Sequence, residues 1–186
     1  MAAICVFCAS SRRLDRRWLD LAAATGAEIA RRGHTLVSGG GCVGMMGALV
    51  DGARSAGGRT IGVIPQSLVD LEVADLASDE LLVTESMASR KILMIDKSDA
   101  FLTLPGGLGT LDELFEVWTT ATLALHHKPM VLVDTDGFYA PLLDWLRNLT
   151  DQAFLKPAGF DLLRLADTVP TALDLLESRL TPPHPR

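Results

Sequence analysis

Short apolar runs of strand length alternate with helical patterns almost from one end of the chain to the other. No other property of the sequence restricts the fold so much. Residues 4–7, 35–38, 60–64, 81–84, 100–104, 130–133 and 162–165 read as strands. Residues 16–32, 43–55, 87–97, 110–125, 141–149 and 170–180 read as helices, the first with Trp18, Leu21, Ala22 and Ile29 on one stripe. The strands are apolar throughout instead of at every second residue, as expected of strands covered on both faces. The expected fold class is therefore α/β: a doubly wound, Rossmann-like parallel sheet with helices on both faces. At 186 residues the chain suits a single domain, expected over 1–180, with the three prolines of 181–186 marking a frayed tail. In such sheets ligands bind in the crevice beyond the carboxyl ends of the strands.

Charge narrows the partners. The formal net charge is -6 and the Lys and Arg residues are scattered among acids, which predicts no nucleic-acid footprint. An anionic small molecule remains compatible, because backbone N–H groups at a helix start hold phosphate without net positive charge. The early apolar stretch at 2–9 is too short to span a bilayer and has no basic leader, so no membrane association and a cytoplasmic location are expected. The odd count of cysteines, Cys5, Cys8 and Cys42, fits a reducing compartment. Cys5 and Cys8 share an expected strand, where positions three apart face opposite ways, which disfavours a joint metal or redox role.

Two glycine-rich turns lie at the expected ligand edge. In the first, Gly39-x-Gly41-x-x-Gly44 has the spacing of a dinucleotide fingerprint, but the next strand ends Ile64-Pro65-Gln66 with no acid for a ribose hydroxyl, which argues against NAD. Its glycines either allow only a tight turn and close packing or also shape a pocket for phosphate or sugar. Neither turn is followed by Gly-Lys-Ser/Thr, so a P-loop is not supported. The second turn, Pro105-Gly106-Gly107-Leu108-Gly109-Thr110, joins an apolar strand to an amphipathic helix expected to start at Thr110. N–H groups at the positive end of that helix make a phosphate seat. Thr110 and Glu113 have capping-box spacing, so Glu113 is either a cap or a carboxylate placed about where a nucleotide sugar would lie. Segment 85–91 adds Arg90 and Lys91, adjacent cations near a helix start that oppose its dipole; Arg90 has the planar fork for phosphate or purine.

With these motifs the chain resembles the Lonely Guy family of cytokinin-activating phosphoribohydrolases, long mislabelled as lysine decarboxylases. The family signature PGGxGTxxE is met in full at 105–113 and is preceded by an Arg-Lys pair, here Arg90-Lys91. The likeness extends to the opening 5–11, the SGGGCVGMMG turn, the Ile64-Pro65 strand end and the HHKPMVLVD segment. It implies hydrolysis of the N-glycosidic bond of a nucleoside 5'-monophosphate, giving free base and ribose 5-phosphate, with no metal or organic cofactor. It further implies Arg90 and Glu113 as the catalytic pair, and Gly106, Gly107, Gly109 and Thr110 as phosphate ligands. Lys91, Asp112, Met87, Ser38, Gly39, Gly40 and Glu72 would line the substrate site. Ala88 and Leu108 stand where plant members often carry His and an aromatic residue, which bears on base preference.

Two rival readings make different demands. A pyridoxal-dependent decarboxylase needs a Schiff-base lysine with partners for the ring nitrogen and phosphate, and Lys91, Lys97, Lys128 and Lys156 offer no such constellation. A non-catalytic nucleotide carrier or sensor needs the glycine turn but not the Arg90 and Glu113 pair. Phe115, Val117, Trp118, Leu123 and Leu125 occupy more than one face of their helix, which predicts a homodimer, as the family resemblance also implies.

Overall fold

The computed structural model describes residues 1–71 and 73–180; Glu72 and the expected tail lie outside them. Seven strands form one sheet: β1 (Ala3–Phe7), β2 (Thr35–Ser38), β3 (Thr60–Pro65), β4 (Glu80–Thr84), β5 (Ala100–Thr103), β6 (Met130–Val133) and β7 (Leu163–Ala166). Every neighbouring pair is parallel, in the order β4-β3-β2-β1-β5-β6-β7. The sequence reverses direction between β1 and β5, which places the switch point there.

The helices are α1 (Arg16–Arg31), α2 (Gly44–Ser55), α3 (Gln66–Val69), α4 (Met87–Asp96), α5 (Leu108–Thr122), α6 (Ala140–Asp151), α7 (Pro157–Phe160) and α8 (Val169–Glu177). They sort onto two faces. Ile4, Val6, Leu36 and Leu102 pack with Ile29 of α1, Leu49 of α2 and Leu173 of α8. Phe7, Val37, Val63 and Phe101 pack with Met94 of α4, Val117 of α5 and Leu143 of α6. Cys5 and Cys8 fall in opposite layers, as alternation along a strand requires. Leu173 and Leu49 are fully buried, so cutting either to Ala is expected to cost about 2–5 kcal/mol.

Two expected boundaries move. Helix α5 begins at Leu108, with Gly107 as its N-cap, two residues before the expected start at Thr110. The Thr110–Glu113 capping box therefore does not form: Thr110 is already inside the first turn and its neighbour Gly106 leaves the room it fills. A β-carbon at Gly106 would stand 2.1 Å from Thr110 Oγ1. The capping box forms instead at α4, between Ser86 and Ser89, so Arg90 and Lys91 fall in that helix's second turn. The expected loop after β3 contains α3 and is tied down beyond it. An isolated bridge joins Gly41 to Ala74, Asp75 N–H donates to Gly40 O at 2.8 Å, and buried Asp75 pairs with Arg54 at 2.6 Å.

Candidate active site

The loops leaving β1 and β5 meet residues of α2, α3, α4 and α5 at the carboxyl edge of the sheet around a cleft of about 320 Å³. Its polar side is the start of α5. Leu111 N–H is the first to donate within that helix, to Gly107 O at 3.0 Å, so the N–H groups of Leu108, Gly109 and Thr110 have no intrahelical acceptor. Its softer side is formed by Met46, Leu68 and Met87. A larger cavity, about 640 Å³, opens at the opposite edge among His34, His127 and Arg179; its lining carboxylate Asp99 accepts the Ala3 N–H, and His34 Nε2 pairs with Glu177 at 2.9 Å.

At the floor of the cleft Arg90 Nη1 lies 3.0 Å from Glu113 Oε1, with both side chains about nine-tenths buried. The guanidinium is fixed on its other sides as well: Nε donates to Val63 O at 3.0 Å and Nη2 to Gly39 O at 3.3 Å. Three strands of chain thus hold one fork, an arrangement a lysine ammonium cannot reproduce. Gly39 is what lets the fork in, because a β-carbon there would stand 1.9 Å from Nη2. Burial pushes the Glu113 carboxyl above its ordinary range, and the Arg90 charge draws it part of the way back. Burial likewise pushes up the Cys8 thiol at the cleft wall, so that thiol stays protonated.

Other anticipated residues take different places. Met87, Gly107, Gly109 and Thr110 line the cleft with Arg90 and Glu113. Ser38, Gly39 and Gly40 do not: they are buried behind it, with Ser38 Oγ accepting Gly40 N–H at 3.3 Å. Of the two readings open for the first glycine turn, close packing is what its geometry serves, and the group packed is Arg90. Gly106 lies behind Thr110. Lys91 Nζ turns to the side of α5, 3.0 Å from Asp112 and 2.7 Å from Glu116, and is not part of the cleft lining.

Several residues at the site were not singled out as site residues from the sequence. Ser10 and Ser11 enter the lining because they follow β1 at the switch point, a position that a strand-order argument would have supplied. Tyr139 is buried beneath the second turn and donates its hydroxyl to Leu104 O at 2.8 Å, fixing the strand end just before Pro105. It precedes α6 from a distant loop, so no local pattern points to it.

Sheet order and cleft define a Rossmann-like α/β protein with its site at the β1/β5 switch point. Comparison with known proteins narrows this. Residues 46–176 match the family described as "possible lysine decarboxylase". The cytokinin riboside 5'-monophosphate phosphoribohydrolase of Mycobacterium tuberculosis is 49% identical over 170 residues, 91% of this chain and 90% of that protein. The enzyme of the same name, LOG, of Oryza sativa subsp. japonica is 39% identical over 93% of this chain and 70% of its own. Among solved structures, the molybdenum cofactor carrier protein of Chlamydomonas reinhardtii superimposes with a TM-score of 0.72 at 28% identity, covering 96% and 97% of the two chains. The chain belongs to the Lonely Guy family of phosphoribohydrolases.

Proposed function

We propose that this protein is a hydrolase that cleaves the N-glycosidic bond of cytokinin riboside 5'-monophosphates, or of AMP, releasing free base and ribose 5-phosphate. Its relatives' shared activity supports the reaction. The observation that carries the assignment of residues is the buried Arg90–Glu113 pair, which opens onto the same cleft as the free N–H groups of α5. The 5'-phosphate sits on Leu108, Gly109 and Thr110, where the helix dipole favours an anion. That seat directs C1' of the ribose toward Glu113.

As the bond from C1' to the base nitrogen breaks, positive charge grows on the ribose ring, and the carboxylate stabilises it. Water then forms the new bond to C1' and gives its proton to Glu113, whose raised affinity for protons suits a base working near neutral pH, while the base nitrogen, which keeps the electron pair of the broken bond, takes up a proton from solvent. Arg90 keeps the carboxylate ionised in a site where burial opposes charge. Three of its five N–H donors point to Val63, Gly39 and Glu113, which supports a role in orienting the carboxylate.

A pyridoxal decarboxylase is a poor fit to these residues. Its lysine must react as a neutral amine, whereas Glu116 above all, with Asp112, holds the Lys91 ammonium firmly protonated. The carrier reading is favoured by one observation, the likeness to molybdenum cofactor carriers. We further propose a cytoplasmic homodimer. The three cysteines are free, and among the described residues no helix is long and apolar enough to cross a membrane. Val117 and Trp118 are buried, but Leu123, Leu125 and Phe154 lie exposed beside an apolar groove of about 190 Å³.

Incubating the pure protein with AMP and with N6-isopentenyl-AMP, and separating products by chromatography, tests the reading. Free base from either nucleotide is the expected result. Binding of both nucleotides without release of base would sink the hydrolase and leave the carrier.

A further inference from the structure

A second ion cluster joins the same two helices as the Arg90–Glu113 pair, and it lies outside the cleft. Lys91 follows Arg90 on α4, while Asp112 precedes Glu113 on α5 and Glu116 follows it by one turn. The Lys91 ammonium stands between both acids, at 3.0 Å from Asp112 and 2.7 Å from Glu116. Glu116 Oε2 is buried and makes no well-angled hydrogen bond among the described residues, so this ammonium is the charge it faces. A half-buried carboxylate whose covered oxygen faces one ammonium holds that ammonium by charge attraction with reduced screening from water. Lys91 is accordingly much less exposed than Asp112, at 19% against 58% of the side chain.

We propose that Lys91 is a positioning residue: by bridging Asp112 and Glu116 it locks α4 against α5, holds Arg90 opposite Glu113, and offsets the negative charge that Asp112 places beside Glu113. The proposal deepens the hydrolase reading and rests on it for its kinetic consequences. Geometry supplies the first half. Arg90 and Glu113 belong to different helices, and the bridge beside them fixes the register of one helix along the other. Electrostatics supplies the second half. Glu113 faces Arg90 and Lys91 from α4, Asp112 and Glu116 from its own helix, and the thiols of Cys5 in β1 and Cys8 just after it. Asp112 makes the Glu113 carboxyl harder to ionise and Lys91 makes it easier, both as smaller effects than burial and Arg90. Lys91 therefore lies outside the cleft lining, yet favours the ionised form of Glu113.

The test measures kcat and KM for AMP against pH in Lys91→Met, Lys91→Arg, Asp112→Asn and the Lys91→Met/Asp112→Asn double variant. In parallel, the Glu113 side-chain carboxyl is titrated by NMR on protein labelled with 13C-glutamate, the signal being assigned with Glu113→Gln. In Lys91→Met, kcat near neutral pH is expected to fall about tenfold with KM within about twofold. The acid limb of the rate and the NMR titration should both move to higher pH. Asp112→Asn should move both to lower pH, and the double variant should lie between the two, a pattern that lost packing alone does not produce. Lys91→Arg should retain most of the rate. A large rise in KM with an unmoved acid limb would place Lys91 on the substrate and overturn the proposal; so would an unchanged Glu113 titration in both Lys91→Met and Asp112→Asn. If Lys91→Met does not fold, the direction of the Asp112→Asn shift decides. The NMR titration needs no turnover, so absence of base release by the unaltered protein defeats the hydrolase reading while leaving the role of Lys91 to be judged separately.

Discussion

The turn at Gly39 to Gly41 and the turn at Pro105 to Gly107 leave buried strands at the same edge of the sheet, but their surroundings differ. Gly39, Gly40 and Gly41 are all buried; one carbonyl receives Arg90 and another receives the Asp75 N–H that ties down the segment after α3. Gly107 and Gly109 are exposed, and a β-carbon on either would meet nothing within 4 Å. A glycine can be required by what the protein itself packs against it or by what a ligand brings later. Composition alone does not separate the two, whereas the nearest atom does.

Substitutions that strike one side of this contrast and spare the other should separate in both size and kind of effect. The largest effect is expected where the closed turn and the open helix meet. Glu113→Gln should lower kcat by about a thousandfold while nucleotide binding persists, as measured by single-turnover assay and calorimetry. The same variant has a signature in stability. Burial raises the Glu113 pKa, so its contribution is fully present below the ordinary carboxylate range and is lost as pH rises through the raised value. Urea unfolding at a series of pH values should show the unaltered protein losing stability across that window and the Gln variant losing less.

Next in size is Gly39→Ala, whose methyl group would occupy the space of Arg90 Nη2. It should lower kcat by about a hundredfold and also lower the midpoint of thermal unfolding. If only KM changed, the first turn would be a ligand seat after all. Tyr139→Phe should cost about 1–2 kcal/mol in urea unfolding, because the Leu104 carbonyl loses its donor in a dry site. The smallest effect, and one of opposite sign in stability, is expected at the open turn. Gly109→Ala should raise stability by about 0.5 kcal/mol through helix propensity, yet raise KM about threefold by crowding the phosphate. Unchanged KM there would speak against the seat.

The fold was legible because its main signal, apolar strands without alternation, comes from burial on both faces and is local to each strand. The strands at 35–38 and 130–133 coincide with β2 and β6. Helix starts were less legible where the cap is unusual. Gly107 caps α5 with backbone shape and no side-chain acceptor, whereas α4 begins at Met87, as expected from its sequence. At the site, Arg90 and Glu113 stood out by motif and do meet. What Gly39 and Lys91 touch is set by contacts across 51 and 21 residues of chain, and spacing along the sequence does not encode that.

The Arg90 fork has a consequence for how the molecule matures. It collects one carbonyl from β3, one from the end of β2 and a carboxylate from the helix after β5, so its environment draws on both wings of the sheet. No contiguous fragment lacking either wing contains a complete pair, and such long-range closures form late when a chain acquires its structure. A newly made molecule can therefore gain its reactive centre only when the two halves of the sheet have joined along β1 and β5. The onset of base release during refolding should coincide with burial of Trp118, instead of following the earlier rise of helix content.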